Sequence, residues 1–392
     1  MSSGASDGPD TSSGAAPRSG ADVAVDIDWD AVAGRPPPRL DMQRLTKHFA
    51  GRRALVTGAA GSLGWPLAAF LADLPLAELA ILDAHEPSLF SLRRALGERA
   101  MGAASVRYVL ADIRRPARVE SLMKVLRPHV IFHLAACKHV PWAEDDPVEF
   151  VATNVLGTHH LVQAAFQQQV ERIVYPSTDK AIAPPSLYGA TKHLAEGMLR
   201  AAASAGGPSA TICRFVNVLG SRGAASETFV QLIRENRALS ITDPRMRRYW
   251  ISPQHALVLL LHAPLLAAPL LTVVPDVEDE LTPVDIAARI WQQLRPGEDG
   301  PPLSSAGARP GERLSEPLLR RDEHLAPSEA AGLRQVSSQP GTEAGTSVPF
   351  VEWERRCARL SSDLDRVPAD ELRATVFSWL DEDTIGASSG RA

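Results

Sequence analysis

Short apolar runs alternate with helix-like segments from Arg52 onward, and this alternation constrains the possible folds more than any other feature of the sequence. Strands separated by helices are joined by crossover connections, so they lie parallel in one sheet that carries helices on both faces. The sequence therefore predicts an α/β fold with a doubly wound parallel sheet. The six predicted strands are Ala54–Thr57, Leu79–Asp83, Val106–Ala111, Val130–Leu134, Arg172–Pro176 and Ala210–Phe215.

Both ends of the chain depart from this pattern. Of the first 40 residues, 23 are Ala, Gly, Ser or Pro, a composition that buries too little apolar surface to offset the entropy of ordering. Residues 1–45 are therefore predicted to be a disordered arm with a short docking element at Val23–Trp29. Residues 296–349 are again rich in Pro, Gly and Ser, around an apolar, charged island at Arg309–Leu319. After Phe350 a helical pattern resumes and predicts a terminal helix pair.

The stretch His255–Val274 is uncharged and rich in leucine, which is compatible with a membrane-spanning helix or with a buried helix followed by a strand. It contains two prolines and follows Ser252-Pro253, a pair typical of a helix start. We therefore predict a buried helix, a loop and a strand at Leu270–Val274, and no membrane association. No apolar segment follows a basic start at the N-terminus, so the expected location is the cytoplasm.

The charge balance and the cysteines exclude several classes of function. The chain has 41 Lys+Arg and 46 Asp+Glu, a net charge of −5, which argues against a surface that binds nucleic acid. Its three cysteines, Cys137, Cys213 and Cys357, lie far apart without zinc-finger spacing, so neither a disulfide framework nor a metal site is predicted. An anionic ligand would have to be held by a local basic cluster.

A glycine-rich turn follows the first strand, with Gly58, Gly61 and Gly64 at three-residue intervals before a helix-like run. Such glycines permit a tight turn, close approach of the backbone to a pyrophosphate, and helix packing, so the turn predicts a Rossmann-type dinucleotide site. The second strand ends at Asp83, whose carboxylate can accept hydrogen bonds from ribose and would repel a 2′-phosphate, which favours NAD over NADP. The alternative is that Asp83 only caps the next helix.

Tyr188 and Lys192 stand four residues apart after the fifth strand, so on a helix both lie on one face. An ammonium group beside a phenol favours the phenolate, which can take a proton from a sugar hydroxyl while a nicotinamide takes hydride from the same carbon. The preceding Thr178, Asp179 and Lys180 lie at the C-terminal end of a strand, where open α/β sheets bind ligands. Redox chemistry or epimerisation at one carbon needs no further acid and base beyond the tyrosine, whereas elimination of water needs both. The alternatives are a surface cap for Asp179 and a solvated charge for Lys180.

These residues resemble those of the extended short-chain dehydrogenase/reductases and, within them, the bacterial UDP-N-acetylglucosamine 4,6-dehydratases of polysaccharide biosynthesis (CapD-like). The likeness is greatest to the carbon-5-inverting enzymes that open pseudaminic acid biosynthesis. The matching segments run in family order and are Thr57–Gly64, Phe132–Pro141, Thr153–Gly157, Ser177–Lys180, Tyr188–Lys192, Asn217–Gly223, Ile241–Trp250 and Arg309–Arg313.

The resemblance implies a three-step reaction in one site. Tyr188, supported by Lys192 and with the substrate oriented by Thr178, would oxidise carbon 4. Lys180 would then remove the carbon-5 proton while Asp179 protonates the departing carbon-6 hydroxyl, and hydride would return to carbon 6. The cofactor would be NAD(P), tightly bound and recycled, and the partner a nucleotide sugar. The resemblance also implies a homo-oligomer.

The predicted site residues fall into three groups. The catalytic residues are Thr178, Asp179, Lys180, Tyr188 and Lys192. The cofactor-binding residues are Gly58, Ala60, Gly61, Ser62, Leu63, Gly64, Asp83, Asp112, Ile113, Ala135, Ala136, Lys138, Tyr188 and Lys192, with Asp112 and Ile113 placed to meet the adenine. The substrate-binding residues are Lys138, His139, Asn154, Asn217, Arg222, Arg245, Arg248 and Arg309, of which the four arginines are expected to gather around the UDP diphosphate. A satisfied polar loop at Lys138-His139 and surface ion pairs for single arginines are the alternatives.

Two departures from the family pattern affect the expected specificity. Val216 stands where close relatives have Gly, and Ser226-Glu227 replaces an apolar-Pro step. An NDP-sugar 4- or 5-epimerase on the same fold is therefore an alternative, and a non-catalytic NAD(P)-binding scaffold is an alternative of another class. The predicted domains are a disordered arm (1–45), an NAD(P)-binding Rossmann domain with the catalytic residues (46–240), a smaller substrate-binding lobe with the Pro/Gly-rich segment (241–345), and C-terminal helices with a short tail (346–392).

Overall fold

The structure, a computed structural model, describes residues 26–97, 105–307, 311–338 and 348–385. The helices are α1 (Trp29–Ala33), α2 (Met42–Phe49), α3 (Gly64–Ala72), α4 (Glu86–Gly97), α5 (Pro116–Leu126), α6 (Val140–Asp145), α7 (Pro147–Phe150), α8 (Thr158–Gln167), α9 (Leu187–Ser204), α10 (Ala225–Arg234), α11 (Pro253–His262), α12 (Pro283–Leu294), α13 (Phe350–Asp363) and α14 (Ala369–Ile385). The strands are β1 (Arg53–Thr57), β2 (Glu78–Asp83), β3 (Ser105–Leu110), β4 (Val130–His133), β5 (Arg172–Thr178), β6 (Ser209–Phe215), β7 (Asn217–Val218), β8 (Leu239–Ile241), β9 (Arg248–Ile251), β10 (Leu270–Pro275), β11 (Glu280–Leu281), β12 (Leu303–Ser305), β13 (Glu323–Pro327) and β14 (Leu333–Ser338).

Within these residues, the main sheet contains nine strands in the order β13-β14-β10-β6-β5-β4-β1-β2-β3. The strands from β10 to β3 run parallel, and the hairpin β13–β14 adds antiparallel to β10. All six predicted strands are present, and the predicted strand Leu270–Val274 forms most of β10. This arrangement confirms the prediction of a mostly parallel sheet. Such a sheet forms because short apolar strands are joined by helical crossover connections.

Helices cover both faces of the sheet, as a doubly wound fold requires. On one face, α2, α3, α4 and α11 pack over a core that includes Phe49, Leu67 and Leu259. On the other face, α5, α8 and α9 pack over a core that includes Leu122 and Leu194. The predicted terminal helix pair is also confirmed. Helices α13 and α14 extend this second core, where the ring of Phe350 stacks on Phe166 with 5.6 Å between centroids.

A smaller lobe lies beside the main sheet and has its own apolar core. It contains a sheet of β11, β9 and β7, a pair of β12 with β8, and the helices α10 and α12. Its core residues include Phe229, Ile233, Ile286 and Ile290. The lobe brings Asn217 on β7 close to the C-terminal end of β5, and so completes the cleft above the main sheet.

The predicted disordered arm needs correction over residues 26–45. Asp28 caps α1 by accepting a hydrogen bond from the Ala31 amide, and Val32 and Ala33 are buried in the lobe core. Asp41 caps α2 in the same way. The overall composition of the segment does not reveal these two helices. Each helix needs only a few apolar residues on one face when another element supplies the rest of the core. The first three residues of the predicted docking element Val23–Trp29 lie outside the described residues.

The predicted domain boundaries also need correction. Strands β10, β13 and β14 lie within 241–345, the predicted lobe, but they pair in the main sheet. Conversely, α1 and α10 precede residue 241 and pack in the lobe. A parallel sheet grows by crossovers, so the chain can leave it for another lobe and return at a later strand.

The stretch His255–Val274 folds as predicted, with Ser252 capping α11 and β10 following a loop. In the part of the chain that the structure describes, no helix combines the length and the apolar character that crossing a membrane requires.

Candidate active site

The glycine-rich turn leaves the C-terminal end of β1 and enters α3. Gly58 has φ +63°, and a Cβ on it would lie 2.6 Å from the Ala135 amide nitrogen. A Cβ on Gly64 would lie 2.7 Å from the Ala59 Cα. Only glycine fits at both positions, so the turn stays low against the sheet with its amides exposed at the start of a helix. This shape fits the pyrophosphate of a dinucleotide.

Asp83 fastens this turn from the end of β2. Its Oδ2 accepts a hydrogen bond from the Ala60 amide at 2.9 Å, and its Oδ1 accepts one from the His85 amide at 2.9 Å, immediately before α4. The carboxylate therefore positions the turn and fixes the backbone just before α4, whose first turn is capped by His85 Nδ1 accepting from the Ser88 amide at 3.3 Å. Its location at the end of the second strand fits the ribose-binding position of such a fold.

Four other residues predicted to bind the cofactor, Asp112, Ile113, Ala135 and Ala136, follow the ends of β3 and β4, and three of them form contacts within the protein. Asp112 accepts hydrogen bonds from the Arg114 amide at 2.9 Å and from its Nε at 2.8 Å. These bonds lower the pKa of Asp112, against the opposing effect of its burial. Ile113 is buried against Gly157, where a Cβ would lie 2.7 Å from its Cδ1. Ala135 and Ala136 follow β4, and the Ala135 amide donates to Thr57 Oγ1 at 3.3 Å.

Thr178, Asp179 and Lys180 form a tight turn at the C-terminal end of β5. Lys180 Nζ donates to Asp179 Oδ1 at 2.9 Å, and Thr178 Oγ1 donates to the same oxygen at 2.9 Å. Asp179 is only 1% exposed, and its other oxygen, Oδ2, is buried without a hydrogen-bond partner among the described residues. A buried carboxylate oxygen without a partner is costly, so this side of Asp179 is available to a ligand.

Tyr188 and Lys192 lie one turn apart on α9, which Ser186 caps by accepting from the Gly189 amide. Gly189 faces the Lys180 carbonyl so closely that a Cβ would collide with it. Because Gly189 has no side chain, Tyr188 can pack against the turn formed by residues 178–180, which we call the catalytic turn. There it forms a hydrogen bond with Thr178. The structure therefore assembles all five predicted catalytic residues at one end of the sheet.

Burial dominates the ionisation of these side chains. It raises the pKa of Tyr188, and the nearby Asp179 raises it further, while the hydrogen bond with Thr178 lowers it. Burial lowers the pKa of Lys192 to about 7, with Glu196 acting in the opposite direction. Lys192 Nζ donates to the Pro176 carbonyl at 2.6 Å and lies 3.9 Å from the centre of the Tyr175 ring. A lysine with a pKa near 7 can change its charge at physiological pH.

The two predicted substrate asparagines have different surroundings. Asn154 is fully buried: it accepts from the Cys137 amide at 2.8 Å and donates to the Cys137 carbonyl at 2.9 Å and to Thr191 at 3.0 Å. Its expected contact with substrate needs correction, because all of its polar atoms already hold the Cys137 loop against α9. Asn217, by contrast, accepts from Lys180 Nζ at 3.5 Å and belongs to the catalytic cluster.

Two of the four predicted substrate arginines form contacts within the protein. Arg245 is exposed and pairs with Asp243, with 2.7 Å between Nη2 and Oδ2. Arg248 is buried and donates to the carbonyls of Arg247, Leu314 and Arg313. A guanidinium takes whichever acceptors lie nearest, and the contacts of these two residues with a diphosphate stay a prediction.

Of the remaining two arginines, Arg309 lies outside the described residues. Arg222 reaches the cofactor turn instead, where its amide donates to Ser62 Oγ at 3.0 Å and its guanidinium donates to the Ala60 carbonyl.

Lys138 and His139 form an exposed rim of the cleft after β4. Burial lowers the pKa of His139, and the Lys138 charge lowers it further, while Glu227 opposes both. The His139 ring faces Gly223, where a Cβ would lie 2.9 Å from its Nε2. These two side chains remain available to a ligand at the cleft.

The departures from the family pattern brace the loop that carries Arg222. Ser226 Oγ accepts from the Gly220 amide at 2.9 Å, and Glu227 Oε2 accepts from the Gly223 amide at 2.5 Å. Val216 is buried in the core below. Their contacts are therefore with the protein, although Glu227 also lies close enough to Lys138 and His139 to influence them electrostatically.

Glu316 is a site residue that the sequence reasoning missed. It is 4% exposed, and one oxygen, Oε2, has no hydrogen-bond partner among the described residues. Burial raises its pKa, and the nearby charges of Lys180 and Asp179 act on it in opposite directions. Arg313 holds this segment over the catalytic turn by donating to the carbonyls of Ile182 and Ala183. Glu316 lies in the apolar, charged island Arg309–Leu319 of the Pro/Gly-rich segment, and that island is the signal in the sequence that could indicate it.

Comparison with known proteins agrees with this arrangement. A family model described as "Polysaccharide biosynthesis protein" matches residues 54–337. The chain is 31% identical over 298 residues to the capsular polysaccharide biosynthesis protein CapD of Staphylococcus aureus, covering 76% of this chain and 50% of that protein. It is 34% identical over 209 residues to the UDP-N-acetylglucosamine 4,6-dehydratase (inverting) of Campylobacter jejuni subsp. jejuni serotype O:23/36 (strain 81-176), covering 52% of this chain and 60% of that protein.

Among solved structures, the X-ray structure of Pen from Bacillus thuringiensis superposes with a TM-score of 0.66 at 27% identity, covering 74% of this chain and 90% of that one. The chain spans about half the length of the curated relatives it matches.

Proposed function

The chain belongs to the polysaccharide biosynthesis protein family, and from that premise we propose that it is an NDP-sugar 4,6-dehydratase. The favoured substrate is UDP-N-acetylglucosamine, and the product is a 4-keto-6-deoxy sugar nucleotide. The geometry of the cleft and the similarity to an inverting dehydratase both support this proposal.

The adjacent pair Asp179 and Lys180 carries the proposal. Oxidation or epimerisation at carbon 4 needs one group that exchanges a proton with the hydroxyl at that carbon. Elimination across carbons 5 and 6 needs, in addition, a base for the carbon-5 proton and an acid for the leaving hydroxyl. Lys180 and Asp179 are two such groups, 2.9 Å apart, within a cluster that also contains Tyr188.

Bound NAD(P) would supply the reversible hydride acceptor, and the side chains would move the protons. Tyr188 takes the proton from the hydroxyl at carbon 4, with Lys192 favouring its phenolate. Lys180 then takes the carbon-5 proton, and Asp179 gives a proton to the departing hydroxyl, which leaves as water. Lys180 returns a proton to carbon 5 when hydride comes back to carbon 6, which gives the 4-keto-6-deoxy sugar. In the resting structure Lys180 donates to Asp179, so moving that shared proton onto Asp179 prepares both groups for these roles.

Thr178 accounts for the return of the protons. The oxygen at carbon 4 stays a ketone in the product, so Tyr188 retains a proton that Asp179 has lost. Thr178 hydrogen-bonds to both side chains and can pass the proton from Tyr188 to Asp179. In an epimerase Tyr188 would return its proton to the sugar, and Asp179 would need none.

The cofactor and the phosphate contacts form a second part of the proposal. Asp83 favours NAD over NADP, because its fixed carboxylate would repel a 2′-phosphate. Lys138 and His139 are exposed, and we expect them to be among the cationic or polar groups that contact the substrate. Cytoplasmic location and homo-oligomeric assembly stay predictions.

The test is to incubate purified protein with UDP-N-acetylglucosamine in deuterated water and follow the sugar by NMR and mass spectrometry. We expect loss of water with solvent deuterium at carbon 5, and the ring coupling constants would report inversion or retention there. Altered ring stereochemistry without loss of water would establish the epimerase instead. No reaction with any NDP-sugar, by protein shown to hold the cofactor, would favour the non-catalytic scaffold.

A further inference from the structure

Helix α1 lies outside the part of the chain that matches the family model, yet it touches the loop that covers the cofactor turn. The helix is firmly seated on the lobe. Gln293 Nε2 donates to the Asp28 carbonyl at 3.1 Å, and the Asp28 amide donates to Gln293 Oε1 at 2.9 Å. Arg289 donates to the Val32 carbonyl at 2.9 Å, and the Val32 side chain is fully buried.

Trp29 on this helix supports the loop Gly220–Gly223 directly. Gly220 has φ +60°, and a Cβ on it would lie 2.6 Å from Cε2 of the Trp29 indole. The loop backbone is therefore packed on the ring. A ring in this position limits how far the loop can move down and away from its observed path, because van der Waals repulsion rises steeply at such distances.

The same loop contacts the glycine-rich turn two residues later. Arg222 donates from its amide to Ser62 and from its guanidinium to the Ala60 carbonyl, so both of its hydrogen bonds end on the turn expected to bind the pyrophosphate. Arg222 therefore lies against the turn at which we expect the dinucleotide to be held. Contacts thus continue from α12 through Trp29 and Gly220 to the dinucleotide site.

We propose that Trp29 is a positioning residue that holds the Gly220–Gly223 loop against the glycine-rich turn and thereby slows release of the dinucleotide. The proposal rests on the dinucleotide part of the proposed function, but not on the identity of the sugar. It explains why a helix embedded in a segment of low-complexity composition keeps apolar residues: they hold Trp29 in place.

The test is the rate at which the full-length protein releases the dinucleotide, measured with bound NADH, whose dihydronicotinamide fluoresces, after dilution into excess NAD. We expect Trp29→Ala to release NADH at least fivefold faster than the unmodified protein. Trp29→Phe should restore slow release, because it keeps a ring under Gly220. Gln293→Ala, which loosens α1 without touching the loop, should give an intermediate rate.

Trp379→Ala is the matched control. Trp379 is also a half-buried tryptophan, but it packs against Trp353 on the C-terminal helices. We expect it to lower the melting temperature while leaving NADH release unchanged. Equal release by Trp29→Ala and the unmodified protein, or equal acceleration by Trp29→Ala and Trp379→Ala, would overturn the proposal. Protein that binds neither NAD nor NADP at all would instead refute the cofactor assignment, and the positioning role with it.

Discussion

Two clusters of buried charged side chains lie next to each other in this protein. They differ in whether the protein itself supplies hydrogen-bond partners for the carboxylate oxygens. Behind β5, the Glu196 carboxylate is bound by Arg214 at 3.0 Å and by Ser177 at 2.6 Å, and Arg214 binds Glu323 at 2.6 Å. In the cleft, Asp179 and Glu316 are equally buried, but each keeps one carboxylate oxygen without a partner among the described residues.

The difference separates structure from chemistry. A buried charge whose partners are all supplied by the protein joins elements together, here α9, β6 and β13. A buried charge with an unpartnered oxygen raises the energy of the folded state unless a ligand completes it. The second kind therefore marks the site. The predictions below test whether the two clusters separate in this way.

Lys180→Ala should have the largest effect, and chiefly on activity. Loss of an acid–base group lowers the rate about 10²- to 10⁴-fold, while NAD and nucleotide-sugar binding persist. The free energy of unfolding should fall by only about 1 kcal/mol, because Asp179 keeps its bond from Thr178 and can take up a proton. Product formation and urea unfolding measure the two quantities. Normal turnover by this variant, or by Tyr188→Phe, would reject the role assigned to that residue.

Glu196→Ala should have its main effect on the stability of the fold. It leaves the fully buried Arg214 with one carboxylate fewer, and removing one partner of a buried pair costs about 3–5 kcal/mol. The control is Glu120→Ala, whose partner Lys124 is exposed, and an exposed ion pair contributes about 0–1 kcal/mol. Urea unfolding compares them. Equal stability of the two variants would show that the inner cluster does not hold the fold together.

Lys192 links the two clusters and should give a dependence of stability on pH, whose change within one pH unit is the smallest of these effects. Its pKa is lowered by burial to about 7 in the folded protein from 10.5. Between these values the unfolded chain binds more protons, so this group makes stability rise with pH, by at most about 1.4 kcal/mol per unit. Below pH 7 the cost of burying the charged lysine is present in full. Lys192→Met should remove this rise, whereas Lys124→Met, at an exposed site, should retain it.

Local patterns predicted the elements and the centre of the site. The strands follow from short apolar runs, and Tyr188 and Lys192 meet because a helix brings residues four apart to one face. Local patterns do not show the surroundings of the arginines. Arg245 and Arg248 are three residues apart in one motif, yet one pairs with Asp243 at the surface and the other binds backbone carbonyls inside. Sequence spacing does not show which acceptors another segment will bring.

Glu316 and Trp29 are two residues that local sequence patterns did not identify. Both lie in segments with a low-complexity character, and both reach the cleft because distant parts of the chain fold against them. Arg313 places the first over the catalytic turn, and Gln293 places the helix that carries the second. No periodicity marks either residue, because neither belongs to a long amphipathic element.

The sequence by itself determined the doubly wound sheet, the glycine-rich turn and the placement of Tyr188 and Lys192 on one helix face, because each is marked by a local pattern of residue types. The tertiary structure decided which charges are completed by the protein and which remain open to a ligand. It also decided that the smaller lobe is built from segments, such as α1, α10 and α12, that strands of the main sheet separate in the chain. Such choices depend on which groups meet across hundreds of residues in a dense interior, where each buried polar atom needs a partner that only the completed fold can supply.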